Sequence, residues 1–330
     1  MKAPQLVALE LTRACNLSCR HCRAAAELKG APDELDTAEV KALLAELSEL
    51  GVKMVILTGG EPLLRQDVFE LAEYGVGLGL RMTLATNATL LSAELAGRIK
   101  TSGIVRVAVS LDGTCAAVHD EFRGQAGAFA QALKGVELLR QAGVAFQINT
   151  TAAAANIADV KRFPDFLAGL GAAAWHVFFL TPAGRGKLLE PAERQQYREM
   201  LEIFYAAYVS SGLECKATCA PQFNRLLAER GHSVSTKGCL AGTGFAFVSS
   251  SGTVQPCGFF EQACGNLREQ SFGTIWESSK LLNELRLCEG LSKGCGACAY
   301  QNVCGGCRAR ALANSGELTA IDPICWWAHG

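Results

Sequence analysis

From about residue 5 to 212, short apolar runs alternate with amphipathic stretches. The runs LVALEL (6–11), KMVILT (53–58), RMTLAT (81–86), VRVAVSL (105–111), VAFQINT (144–150) and AAWHVFFL (173–180) have strand length, and turn or loop residues follow each of them. Between the first two, DTAEVKALLAELSEL (36–50) predicts a helix. Asp36 and Glu39 have the spacing of a capping box, and Val40, Leu43, Leu44, Leu47 and Leu50 recur at helical intervals. Gly51 suits the left-handed stop. The stretches 127–143 and 191–212 read the same way, stopped by Gly143 and Gly212. Such alternation predicts parallel βαβ units with right-handed crossovers. An open six-unit barrel and a doubly wound sheet both satisfy it, and in either one chemistry gathers at the C-terminal ends of the strands.

After Gly212 the alternation stops. FAFVSSSGTVQPC (245–257) predicts a hairpin turning at Ser251-Gly252, and SFGTIWESSKLLNELRLC (271–288) predicts one helix. Residues 290–310 are rich in Cys and Gly, too loop-like to fold without a covalent or metal staple. The pattern divides the chain into a body (1–212), a bridging segment (213–238) and a thiol-rich tail (239–330).

Composition narrows the function. With 49% hydrophobic residues in 330, the chain can bury a substantial core. A net charge of −1 lacks the basic field that a nucleic-acid binder needs. No apolar run is long enough to span a bilayer, and the N-terminus does not read as a signal peptide, so a cytoplasmic location is expected. In that reducing compartment the 15 cysteines are metal ligands or reactive groups rather than disulfides. Three lie at 15–22, one at 115 and eleven between Cys215 and Cys325.

The stretch CNLSCRHC carries Cys15, Cys19 and Cys22 just after the first predicted strand. Three thiolates are too few for a closed zinc site, but they can hold three irons of a [4Fe–4S] cube and leave the fourth open. Spacing alone leaves zinc and iron–sulfur as equal alternatives.

The order of motifs resembles the radical S-adenosylmethionine (SAM) superfamily: C-x3-C-x2-C after strand one, TGGEP (58–62) after strand two, TNATLL (86–91) and SLDG (110–113) at the ends of strands three and four, PAGRG (182–186) after strand six. The resemblance implies a partial (β/α)6 TIM-like barrel. It also implies a [4Fe–4S] cluster on Cys15, Cys19 and Cys22 whose open iron is chelated by SAM. Gly59 and Gly60 would admit the methionine portion, Glu61 would accept from its ammonium, Asn87 and Ser110 would reach ribose or carboxylate, and Arg123 would pair with the carboxylate. His21 would pack beside the cluster or the adenine.

The tail resembles the SPASM extension, a cysteine-rich iron–sulfur domain, with one departure: CGGC has two residues where the common pattern has three. That resemblance implies one or two auxiliary [4Fe–4S] clusters. Cys295, Cys298, Cys304 and Cys325 would hold one; Cys239, Cys257 and Cys307 would hold the other, completed by Cys219, by Cys215 or by no protein group. Zinc on the two CxxC pairs is the alternative. Cys115, Cys264 and Cys288 fall outside the pattern and are expected to be free and buried.

LTPAGRGK, KATCAPQFNRL, KGCLAGTGF, VQPCGFFEQACGN and CGGCRARA extend the resemblance to radical SAM enzymes that modify tetrapyrrole side chains, haem synthases among them. This implies oxidative decarboxylation of two propionates of iron-coproporphyrin III to vinyls, a porphyrin-type substrate, and a low-potential reductant such as ferredoxin or flavodoxin. Arg20, Arg23, Arg185, Lys187, Arg308 and Arg310 are candidate cations for an anionic rim. No catalytic side chain is assigned, because radical abstraction demands no general base. Two other readings are removal of side chains from a sirohaem-derived tetrapyrrole and maturation of a ribosomal peptide. Only 14 residues precede Cys15, which lowers the peptide reading. A non-catalytic electron carrier or zinc-stapled binding protein is the alternative of a different class.

Overall fold

The computed structural model describes residues 2–210, 212–234, 237–287, 291 and 293–329. Every predicted strand forms: β1 (Leu6–Glu10), β2 (Met54–Thr58), β3 (Arg81–Thr86), β4 (Arg106–Ser110), β5 (Phe146–Ala152) and β6 (Ala174–Phe179). Four more follow, β7 (Glu214–Thr218), β8 (Phe245–Val248), β9 (Thr253–Gln255) and β10 (Gly265–Asn266). All join one sheet in the order β10-β9-β8-β1-β2-β3-β4-β5-β6-β7. From β8 through β1 to β7 the neighbours are parallel. The order of β1 to β7 never reverses, so a doubly wound sheet is excluded; the wall is wound in a single sense, with β7 and β10 at its ends.

One-sense winding puts the crossover helices on one face. That face carries the core: Val7, Leu9, Val55, Leu57, Met82, Leu84, Val107, Val109, Trp175 and Val177 are all fully buried against helical residues such as Leu44, Leu47 and Phe204. The other face curls inward. β4 and β7 lie three strands apart, roughly 14 Å in a flat sheet, yet Arg106 Nη1 meets Glu214 Oε2 at 2.9 Å across it.

The helix Thr37–Glu49 has the expected capping box, with Glu39 N–H donating to Asp36 (2.8 Å) and Asp36 N–H donating to Glu39 (2.9 Å). Val40, Leu43, Leu44 and Leu47 are buried, while Leu50 has passed the helix end and is 39% exposed. Helices Ala128–Gln141 and Arg194–Ser210 occupy the other two predicted stretches.

Two expectations change. The stretch 271–288 forms two helices, Phe272–Ser278 and Lys280–Leu287, because Ser279 turns extended and its carbonyl starts the second by accepting from Asn283. The bridging segment supplies β7 and the helix Gln222–Glu229, so it extends the wall of the body. The predicted hairpin is β8–β9 and turns at Gly252. The tail grips the body through the carboxylate of Glu46, which caps the helix Phe272–Ser278 at Phe272 and Gly273 N–H, and through the Arg268–Glu39 pair (2.7 Å).

Candidate functional site

The cluster loop leaves β1 and is fastened at several points. Glu34 Oε1 accepts from Arg13 N–H (2.6 Å), Ala31 N–H (2.9 Å) and Thr12 Oγ1 (3.1 Å). Arg65 donates to the carbonyls of Leu11 and Leu35. On this loop Cys15 and Cys19 are buried and Cys22 is half-buried. Each sulfur receives at least one N–H: Leu17 (3.4 Å) and the Asn87 amide (4.0 Å) to Cys15, Arg123 to Cys19 (3.7 Å) and Ala26 to Cys22 (3.4 Å). Burial pushes the Cys15 thiol up to about 11, and it raises Cys19 as well although Arg123 beside it opposes the shift. A pocket that donates hydrogen bonds to sulfur yet opposes its bare ionisation fits thiolates neutralised by iron.

The TGGEP segment holds that loop. Gly60 N–H donates to Thr12 O and Glu61 N–H to Ala14 O, both at 2.7 Å. A Cβ on Gly60 would stand 2.3 Å from Ala14 O, and one on Gly59 would stand 2.6 Å from Thr12 O. The paired glycines are therefore required by the approach of this chain's own backbone, not only by a ligand.

Glu61 is engaged within the protein. Its side chain is fully buried and accepts from Leu63 N–H (3.1 Å), Thr86 Oγ1 (2.8 Å) and Asn87 N–H (2.8 Å). Burial pushes its carboxyl up to about 7. With no exposed surface it clamps the ends of β2 and β3 together. Asn87 stands at the cluster loop, its amide donating to Asn16 (2.9 Å) with Cys15 Sγ at 4.0 Å. Ser110 ends β4 on the helix-free face, half-buried.

Arg123 is also committed inside the protein. It pairs with Asp112 Oδ2 at 2.6 Å, and both residues are buried. Burial alone would raise the Asp112 carboxyl, but Arg123, His21 and His119 around it hold it below the ordinary range. His21 stacks on Phe122 (4.3 Å between ring centres), and burial lowers it to about 4. The sequence reading missed Asp112 as the hub; its place in SLDG was visible, its buried partners were not.

In the tail the thiols gather as two groups. Cys219, Cys239 and Cys257 pack around Cys307. Cys219 and Cys307 share a hydrogen bond that raises the first and lowers the second. Of the two thiols expected as alternatives, Cys219 stands in this group, while Cys215 packs into the main core on the helix side. Cys295, Cys298, Cys304 and Cys325 line a second cavity of about 180 Å³ with Arg225, Tyr300, Asp322 and Trp327. Arg225 lies 3.7 Å from Cys298 Sγ and Arg308 3.9 Å from Cys295 Sγ. Between the groups, Asp322 accepts from Cys307 N–H, Gln222 and Arg310. Among the described residues no three His, Cys, Asp or Glu side chains converge on a point that would hold one ion; thiols around a cube stand farther apart than ligands of a single metal.

Three non-glycine residues adopt positive φ among those described: Ala25 (47°) on the cluster loop, Ala88 (61°) just after Asn87, and Cys219 (58°) itself. Such backbone is costly and marks places where the fold aims a side chain. Of the other cysteines, Cys115 is exposed rather than buried, Cys264 is half-buried, and Cys288 lies outside the described residues.

The six cations expected at a substrate rim are all engaged by protein. Arg20 pairs with Glu121, Arg23 with Glu10, Lys187 with Glu261 and Arg310 with Asp322. Arg185 donates to the carbonyls of Cys19 and Ala26, and Arg308 to those of Leu318 and Ala320.

Comparison with known proteins agrees with this geometry. The radical SAM superfamily matches residues 9–163, and the SPASM iron–sulfur cluster-binding domain matches residues 239–308. An AdoMet-dependent heme synthase of Oleidesulfovibrio alaskensis is 44% identical over 98% of this chain and 87% of its own length. One of Methanosarcina barkeri is 44% identical over 99% of this chain and 98% of its own. Among solved structures, Streptococcus suis SuiB bound to S-adenosylmethionine superposes with a TM-score of 0.81 at 18% identity, covering 98% of this chain and 78% of that one, a likeness of fold. No helix among the described residues is long and apolar enough to cross a membrane.

Proposed function

The chain belongs to the radical SAM superfamily, in the family of the AdoMet-dependent heme synthases, and on that premise we propose that it converts iron-coproporphyrin III to protohaem. Each of two propionates loses a hydrogen atom from its β-carbon, carbon dioxide and one electron, and becomes a vinyl. The observation that carries this reading is the loop Cys15, Cys19 and Cys22, three thiols each given a hydrogen bond at the strand ends of a chain whose likeness to heme synthases runs almost end to end.

When bound, the iron–sulfur clusters and SAM supply a one-electron source that splits SAM to a hydrogen-abstracting 5′-deoxyadenosyl radical, with an electron acceptor in the tail. This chain's own residues hold and orient. Cys15, Cys19 and Cys22 hold the first cluster; Cys219, Cys239, Cys257 and Cys307 hold one auxiliary cluster and Cys295, Cys298, Cys304 and Cys325 the other. Gly59, Gly60, Asn87 and Ser110 line the SAM position, with Glu61 and Arg123 fixing the loops behind it. The electrons come from ferredoxin or flavodoxin in the cytoplasm.

Anaerobic incubation with iron-coproporphyrin III, SAM and reductant, followed by mass spectrometry, tests the reading. Two successive losses of a formic-acid equivalent are expected. An unchanged porphyrin alongside active SAM cleavage overturns it.

A further inference from the structure

With every expected rim cation engaged by protein, an anionic substrate still needs a positive group facing the concave side of the wall. Strand register supplies one. Ser110 of β4 pairs with Asn149 of β5, Asn149 with His176 of β6, and His176 with Lys216 of β7. Residues paired across a parallel sheet point to the same face. The neighbours Cys215 and Ala217 pack into the core on the helix side, so Lys216 points to the other. Ser110, Asn149, His176 and Lys216 thus form one row across the concave face, starting from a residue already placed at the SAM position.

The charges along this face leave Lys216 unmatched. Arg106 is neutralised by Glu214 at 2.9 Å. The Gln147 amide donates to Asn149 Oδ1 (2.8 Å) and also meets His176 Nδ1 (3.0 Å). That contact makes Nδ1 the acceptor and leaves the imidazole proton on Nε2. Nε2 is buried with no hydrogen-bond partner, and Glu214 Oε1 stands 3.7 Å away. Burial lowers His176 to about 4, with Lys216 the next cause, so the imidazole is neutral and close to the ammonium. Lys216 is open to water and has no hydrogen-bond or ion-pair partner among the described residues, although its partial desolvation, opposed by Glu214, holds the ammonium below the ordinary lysine value. A cation held in a partly desolvated concavity, beside an imidazole N–H whose nearest acceptor is a Glu214 carboxylate 3.7 Å away and already paired with Arg106, can receive an anion.

We propose that Lys216, with His176 Nε2–H beside it, binds a carboxylate of the substrate on the concave face and so orients a polycarboxylate porphyrin against the SAM position. This rests on the porphyrin reading above and adds the group that recognises the substrate's acid side chains. A carboxylate there would accept one charge-assisted hydrogen bond from Nζ and one from the imidazole N–H.

The test uses the cluster-loaded full chain under anaerobic conditions and titrates iron-coproporphyrin III by its absorbance change, with SAM binding measured in parallel. Lys216→Met is expected to weaken porphyrin binding about ten- to a hundredfold, the loss of one charge-assisted bond. Lys216→Arg should recover most of that affinity, and SAM affinity should stay within about twofold in both. The iron–sulfur absorbance and melting temperature of each variant establish that it is folded. Porphyrin affinity unchanged in folded Lys216→Met overturns the proposal and leaves the porphyrin reading intact. Lost SAM affinity with unchanged porphyrin affinity assigns Lys216 to the cosubstrate's carboxylate and also overturns it. A wild-type chain that binds no porphyrin removes the reading and the proposal together.

Discussion

The two thiol-bearing regions are built in opposite ways. In the body, Cys15, Cys19 and Cys22 ride on a loop fastened by Glu34 and Arg65 to a sheet with a continuous apolar core, so the scaffold stands without what it holds. In the tail, among the described residues beyond 291, regular structure amounts to the helix Arg308–Ser315 and short helical turns at Lys293–Gly296 and Trp327–His329. Its order depends on thiols, on Arg310 and Asp322, and on whatever the thiols ligate. The body shows a fold presenting a site; the tail shows a site holding a fold together.

The contrast breaks first at the thiols. Cys15→Ala should reduce 5′-deoxyadenosine formation to background while the melting temperature barely changes. Cys325→Ala should retain part of that formation yet lower thermal stability. Chromatography of the nucleoside and calorimetry of both variants check this, and equal losses of activity from the two folded variants would contradict the division.

Next in size is the buried ion pair between the tail's thiol groups. Arg310→Met leaves Asp322 buried and uncompensated, which should cost about 3–5 kcal/mol in anaerobic denaturant unfolding. The loss should be accompanied by depleted tail clusters, with the iron of the body retained. A smaller change is expected from Gly60→Ala, whose new methyl meets Ala14 O. The loop must shift, at about 1–3 kcal/mol, and SAM affinity should fall with it.

Much of the body was legible because its signals are local. β1 to β6, the capping box at Asp36 and the stops at Gly51, Gly143 and Gly212 follow from residues close in sequence. β7 was not legible, since ECKAT has no apolar run despite Gly212 before it, and it is a strand only because β6 offers it an edge. The parallel pairing of β8 with β1 joins residues more than two hundred positions apart and has no local trace. The thiol groupings were legible from spacing and resemblance, and Cys219 was separated from Cys215 only by the left-handed turn just past the end of β7 that takes it away from the core face Cys215 occupies. The buried partners of Glu61 and Arg123 were not legible for one physical reason: a motif shows that a charged residue is present, while its partner, Asn87 N–H or Asp112, is supplied by a different strand end.

The smallest expected effect concerns acid. Burial lowers His119 to about 4 and His176 to about 4, so the unfolded chain binds more protons than the native one between about pH 6.5 and 4. Their contribution is complete above 6.5 and is lost as pH falls through 4. His119→Asn keeps an acceptor for Asp112 N–H and should flatten that part of the stability–pH curve in thermal melts; an unchanged slope would deny His119 the neutral buried state described.

The central claim is that the loop Cys15, Cys19 and Cys22 carries an iron whose remaining position belongs to SAM. Electron paramagnetic resonance of the reduced, cluster-loaded protein, before and after SAM, tests it most directly. The account predicts that SAM shifts one cluster signal, that this signal is absent from Cys15→Ala, and that it persists in Cys325→Ala. Spectra indifferent to SAM, or a SAM-sensitive signal surviving in Cys15→Ala, would contradict it.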